Sequence, residues 1–172
     1  KSIKKIEILR EKNNMNEILK IISESIKIKL SYMKGDEFDT GRRNLLNYGH
    51  EFGHSLESSS SFKIPHGIAI LIGIVFANII SKNRGLIDFN CFDIINNDLL
   101  LPNLSFSSTI LRKEYFDEKI LLENMRKDKK IIGNDLVLVL PRSDFSLVKT
   151  NDLTTDECKK GLKELMNLIG VK

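Results

Sequence analysis

Residues 47–60 read NYGHEFGHSLESSS, and within them His50-Glu51-Phe52-Gly53-His54 spells H-E-x-x-H. On a helix that pattern is the zinc-protease signature: two histidines one turn apart bind the metal and the glutamate acts as base. A protease also needs a third ligand. The extended pattern H-E-x-x-H-x-x-G-x-x-H requires Gly at position 57 and His at position 60, where this chain has Glu57 and Ser60. Glu57 is too near in sequence to be a ligand from a separate downstream helix. Glu114 and Glu118 stand in no supporting pattern, and His66 falls six residues past the slot. The protease reading fails on its third ligand, so the histidines belong to a wider frame.

All three histidines of the chain, His50, His54 and His66, lie within seventeen residues. If one helix runs from Thr40-Gly41 to about Glu57, His50 and His54 share a face. Arg43 and Asn47 extend that face at steps of four, three and four. Arginine, asparagine and two histidines make a poor core and a good site for an anion or a metal. His66 follows Pro65 at the expected start of the next helix, where Gly67 leaves room for a ligand. Two neutral imidazoles from neighbouring helices plus one carboxylate make a zinc site with an open position.

The bulk properties narrow the class. The chain has 172 residues, enough for a single domain with its own core. It is 41% hydrophobic and 29% charged, in the range of soluble globular domains. The net charge of +4 is spread among acids. It forms no basic stripe of the kind that marks a nucleic-acid binder, and it suits an anionic small molecule. Cys91 and Cys158 make neither a disulfide framework nor a CxxC pair, and read as buried thiols in a reducing cytosol. The apolar run IAILIGIVFA, residues 68–77, is shorter than the about 20 residues of a membrane span and reads as a buried helix. The opening KSIKKIEILREKNN is charged throughout, so no signal peptide is expected in it. The first residue is Lys, so the chain is expected to be part of something longer.

The remaining pattern is mostly helical. Met15, Ile18, Leu19, Ile22, Ile26, Leu30 and Met33 recur at three- and four-residue steps, with Asn14 and Glu17 as a capping box and Gly35-Asp36 as the stop. A helix begins near His66 and ends at Gly85. DFNCFDIINND reads as a short helix or turn, and residues 117–127 read as a helix. KKIIGNDLVLVLP reads as two short extended segments around Gly133-Asn134. Thr154 and Glu157 cap a last helix that packs Cys158, Leu162, Leu165, Met166 and Ile169. No G-x-G-x-x-G follows a strand, so no dinucleotide cradle is expected.

Four stretches together, DEFDTGRRNLLNYGHEFGHSLE, IPHGIAILIGIVFAN, MRKDKK and LVLVLP, resemble the C-terminal domain of 3-dehydroquinate synthases and related sugar phosphate cyclases. The family pattern is R-x-L-L-N-x-G-H-T-F-G-H-A-x-E, then H-G-E-A-V-x-x-G-M, then D-K-K before L-R-x-V-L-P. The match is dense over residues 29–85 and resumes over 125–141. Iron-containing alcohol and glycerol dehydrogenases share the superfamily but lack the L-N-x-G-H-x-F-G-H run.

The resemblance implies a mainly α, metal- and substrate-binding C-terminal domain over residues 1–172, with one small β-hairpin. It implies His50 and His66 as ligands of Zn2+ or Co2+, and His54 as the active-site histidine near the substrate phosphate. Lys29, Arg43 and Asn47 would bind substrate and serve catalysis, and either Lys129 or Lys130 would reach the phosphate. The implied activity is that of a cytoplasmic carbon–oxygen lyase of the shikimate pathway of aromatic amino acid biosynthesis. It turns a seven-carbon phosphorylated sugar acid into 3-dehydroquinate and phosphate, with NAD as a transient oxidant. The full-length enzyme would be a homodimer, with no nucleic-acid or membrane partner.

The family's NAD-binding domain is not among these residues, nor is the A-E-x-x-K segment that carries a glutamate ligand. The chain alone is expected to be inactive, to bind zinc weakly and to have no cofactor-binding residues of its own. Glu51 stands for the usual Thr, Ile68 for the Glu of H-G-E, and Asp39 for a usual Glu. The second departure leaves a different sugar phosphate, such as sedoheptulose 7-phosphate or glucose 6-phosphate, as an alternative substrate. A zinc protease and a non-catalytic helical module are the readings from other classes.

Overall fold

The computed structural model describes residues 15–38, 41–104, 110–127 and 136–171. The chain falls into two compact units, residues 1–46 and 47–172. The first holds helix α1, Met15–Met33. The apolar stripe read from the sequence lies on it, but no residue of α1 is buried, and Met15, Leu19, Ile22, Ile26 and Leu30 are each about half exposed. Gly35 stops the helix in the left-handed conformation, at φ 79°. Asp36 then caps the turn that follows, accepting from the backbone N–H groups of Gly41 and Arg43 at 3.0 and 2.7 Å. The Asn14 cap lies outside the described residues.

The single helix expected from Thr40 to Glu57 is two elements. A 3-10 turn covers Arg42–Asn47, and helix α2 starts afresh at His50 and runs His50–Ser59. The break is Gly49, at φ 79°. Arg43 and Asn47 are therefore not on the helix that carries His50 and His54, and the four-residue stripe does not exist as one helical face.

The second unit is built around α3, His66–Asn83. From Ile72 onward this helix is apolar almost all round, so it must be enclosed rather than half-solvated. Ile72, Val75, Phe76, Ala77, Ile79 and Ile80 are indeed fully buried. By length and composition α3 could cross a membrane, but 56% of it is covered by the protein's own neighbours. Its buried polar groups are paired. Asn78 donates to Asn96 Oδ1 at 2.9 Å and accepts from the Tyr48 hydroxyl, and Ser81 donates to the Pro141 carbonyl.

Helix α2 packs against α3 at backbone contact. A Cβ on Gly73 would sit 1.9 Å from the Gly49 carbonyl oxygen and 3.0 Å from the Gly53 nitrogen. A Cβ on Gly49 or Gly53 would collide with Ile74 or Ile70 at 2.6–2.7 Å. Phe52 stacks on Phe76 with ring centroids 4.1 Å apart. Another close contact of α3 is through side chains: a Cβ on Gly161 would lie 2.6 Å from Ile80 Cδ1.

After α3, a continuous helical stretch runs through α4, Phe89–Asp93, a π-helical segment, Ile94–Leu100, and α5, Leu101–Leu104. It is longer than the short helix or turn expected there. Helix α6, Glu118–Lys127, is tied to α2 by the Ser55 hydroxyl, which donates to the Leu121 carbonyl at 2.7 Å. Strand β1, Leu136–Pro141, pairs antiparallel with β2, Leu147–Leu153, with an irregularity between Leu136 and Leu138. The expected segment and turn around Gly133-Asn134 lie outside the described residues. The observed partner, LVKTNDL, was missed because its alternation is interrupted by polar residues on both faces. Helix α7, Thr155–Leu168, has the expected capping box of Thr154 and Glu157. Cys91 and Cys158 are free and buried, as read from the sequence.

Arg84 closes the end of α3. Its guanidinium donates to both Glu157 oxygens at 2.6 and 2.9 Å and to Asp152 at 2.7 Å. Those bonds hold the Glu157 carboxyl at about 2, below its ordinary 4.5, against a burial effect that opposes them. A depressed carboxylate contributes stability that is complete above about pH 4.5 and is lost as pH falls toward 2. Glu157→Gln keeps a residue that suits a capping box but removes the charge pair. It should cost about 1 kcal/mol at neutral pH, the partly exposed setting considered, and flatten the loss of stability between pH 4.5 and 2. Urea melts across that range would show it. Gly73→Ala should destabilise by about 3 kcal/mol or more through overpacking against backbone. Gly67→Ala, whose Cβ would meet nothing within 4 Å, should leave the thermal midpoint unchanged or raised.

Candidate functional site

The close approach of α2 and α3 brings the three histidines together. The ring centroids of His50 and His54 are 5.4 Å apart, those of His50 and His66 5.9 Å, and those of His54 and His66 5.8 Å. His50 is half-buried at the first turn of α2, while His54, one turn on, and His66, at the first residue of α3, are exposed.

Two of the rings have an acceptor facing one nitrogen. His50 Nδ1 lies 3.3 Å from the Tyr48 carbonyl oxygen, and His66 Nδ1 lies 3.1 and 3.2 Å from the two Glu57 oxygens. A carbonyl or a carboxylate can only accept, so in a neutral imidazole either hydrogen bond puts the proton on Nδ1 and leaves the Nε2 lone pair for a ligand. The Tyr48 carbonyl is itself anchored. The Tyr48 side chain is half-buried, the desolvation pushes its phenol well above the usual range, and the hydroxyl donates to Asn78 of α3.

Glu57 is the residue that sequence reasoning set aside. His54, Glu57 and His66 place one ligand atom each within 4.8 Å of one another. The signal was available: on a helix, positions 54 and 57 are three apart and share a face. Glu51, by contrast, is buried, at 4% exposure, and the carboxylate that stands with the histidines is Glu57. The donor set of imidazoles with a carboxylate, and with an acceptor facing Nδ1 on two rings, fits a divalent metal of the zinc type.

An open cavity of about 250 Å³ adjoins His54, lined also by Ser55, Ser58, Asn124 and Lys127. An ammonium, an amide and the Ser58 hydroxyl suit an anion. Asn124 and Lys127, on α6, were not singled out from the sequence. They directly precede Lys129 and Lys130, which lie outside the described residues. Asn47 is half-buried at the end of the 3-10 turn. Lys29 and Arg43 belong to the first unit: Lys29 is exposed on α1, and the Arg43 guanidinium donates to the Glu37 carbonyl at 2.9 Å.

The comparison with known proteins agrees with the resemblance. The family described as 3-dehydroquinate synthase C-terminal matches residues 2–131. The 3-dehydroquinate synthase of Clostridium beijerinckii is 39% identical over 140 residues, covering 80% of this chain and 39% of the relative. That of Campylobacter jejuni subsp. doylei is 35% identical over 151 residues, covering 87% and 42%. The chain thus spans about two-fifths of the length of these curated relatives. Among solved structures, a 2-epi-5-epi-valiolone synthase from Streptomyces hygroscopicus subsp. jinggangensis, with NAD+ and Zn2+ bound, superposes with a TM-score of 0.74 at 20% identity. It covers 88% of this chain and 41% of that one. A 2-deoxy-scyllo-inosose synthase gives 0.57 at 19% identity, covering 79% and 36%. At such identities these two speak for the fold, and the family match speaks for descent: the chain belongs to the 3-dehydroquinate synthase C-terminal family.

Proposed function

We propose that the chain supplies the metal- and substrate-binding half of a 3-dehydroquinate synthase, which converts 3-deoxy-D-arabino-heptulosonate 7-phosphate into 3-dehydroquinate and phosphate. The observation that carries the reading is the convergence of His50, His54 and His66 to ring separations of 5.4–5.9 Å, with an acceptor facing Nδ1 of His50 and of His66. On this reading His50 and His66 hold zinc, and His54 serves the substrate. Bound zinc would supply Lewis acidity at a substrate hydroxyl, and NAD, bound mainly outside these residues, a reversible oxidant.

The chain's own contribution is binding and proton movement. The family resemblance is what assigns Lys29, Arg43 and Asn47 to the anionic groups of the substrate, which such side chains bind by charge-assisted hydrogen bonds. One of Lys129 and Lys130 binds likewise at the phosphate side. His54, exposed at the mouth of the cavity it lines with Asn124 and Lys127, moves a proton at its imidazole as the phosphate leaves. Holding the leaving group and the reacting carbons in one geometry is itself a large part of the acceleration.

The test is phosphate release from the seven-carbon substrate by the protein together with the amino-terminal part its relatives carry. Release should need both zinc and NAD and should stop on chelation. His50→Ala and His66→Ala should each lower kcat/KM by about a hundredfold or more. Release from sedoheptulose 7-phosphate or glucose 6-phosphate instead would move the assignment to another sugar phosphate cyclase, the reading that Ile68 favours. Glu51→Gln separates the protease reading. It should leave phosphate release within about threefold, since a buried residue outside the histidine cluster contributes no reacting group. Peptide hydrolysis that Glu51→Gln abolishes would contradict the proposal.

A further inference from the structure

Glu57 has no role in the scheme above, yet its carboxylate faces a histidine of the cluster. Both of its oxygens lie at hydrogen-bond distance from one nitrogen, His66 Nδ1, at 3.1 and 3.2 Å. The carboxylate is only 13% exposed, whereas the imidazole it touches is 59% exposed. A shielded, fixed carboxylate against a solvent-facing ring is an arrangement that orients the ring, since solvent alone would leave it free to rotate. His66 is the first residue of α3, and its predecessor Pro65 supplies no backbone N–H to hold it.

We infer that Glu57 is a positioning residue for the metal: it fixes His66 in the Nδ1–H tautomer so that Nε2 is the ligating nitrogen. The inference rests on the proposed metal role of His66. The parallel at His50 supports an outer rather than a direct role for Glu57. There the Tyr48 carbonyl occupies Nδ1 in the same way, so a metal shared by the two rings takes Nε2 from each. A carboxylate behind a ligating imidazole holds the ring and raises its basicity, and its loss lowers metal affinity about 10- to 100-fold. The spacing also fits: His54 and Glu57 lie on one face of α2, so a single helix presents the substrate-side histidine and the carboxylate that steers the metal-side one.

The test needs no turnover. In the metal-free chain at about pH 8, where an ordinary histidine is neutral, nitrogen-15 imidazole correlation spectra report the His66 tautomer. Wild type should show the Nδ1–H form. Glu57→Ala should shift His66 toward Nε2–H and weaken zinc binding, read by chelator competition, about 10- to 100-fold. Glu57→Gln keeps an acceptor and should retain the tautomer and lose less than about tenfold. An Nε2–H tautomer in wild type would overturn the inference. So would a Glu57→Ala chain that melts earlier yet keeps its tautomer and affinity. Equal loss in Gln and Ala, with a changed ligand number in the Co2+ spectrum, would make Glu57 a direct ligand and overturn it as well. No measurable zinc binding by the wild-type protein joined to the amino-terminal part its relatives carry would overturn the metal role of the cluster itself. Unchanged affinity in Glu57→Ala, in a chain that does bind zinc, overturns only the role of Glu57.

Discussion

The contact between the Gly49 carbonyl and Gly73 is the constraint on which the second unit depends. Packed helices ordinarily stand 8–10 Å apart, held off by their side chains. Here the backbones touch, because Gly49, Gly53 and Gly73 each leave out a side chain that would strike the other helix. The same Gly49 adopts the left-handed conformation that ends the 3-10 turn and lets α2 begin at His50. One residue thus decides where α2 starts and how near it lies to α3. Both are needed to put the first turns of the two helices, and their histidines, within one cluster.

Helix α3 divides along its length. Its first turn carries His66 and is open to solvent, while the stretch from Val75 to Ser81 is buried against its neighbours, α2, α7 and β1 among them. The buried portion is pinned by polar ties as well as by apolar packing: Tyr48 to Asn78, Ser81 to Pro141, and Arg84 to Glu157 and Asp152. Each tie satisfies a polar group that would be costly to bury alone. The Tyr48 tie also reaches the site, since the Tyr48 carbonyl holds His50 while its hydroxyl is anchored in the core. Stability and ligand orientation are therefore linked through one turn of chain.

Much of this was legible in the residues and some was not. The uninterrupted apolar run after His66, with Pro65 before and Gly85 after, marks α3 with nearly correct ends. Thr154 and Glu157 mark α7 through a local hydrogen-bond pattern that needs no tertiary information. The break at Gly49 was missed because periodicity continues smoothly across it, and only the approach of α3 demands a left-handed residue there. The hairpin partner of β1 was missed because LVKTNDL alternates poorly and acquires its identity from pairing. At the site, the three histidines follow from their sequence crowding, whereas the Glu57–His66 pair joins two helices across a turn and becomes visible only when they pack.

The central claim is that the histidine cluster holds zinc through imidazole nitrogens. X-ray absorption at the zinc edge of the metal-loaded protein tests it most directly. The account predicts at least two imidazole ligands at about 2.0 Å and no sulfur, with the imidazole scattering reduced in His50→Ala and in His66→Ala. A spectrum with sulfur at about 2.3 Å, which would place zinc on Cys91 or Cys158, or one that neither substitution changes, would contradict it.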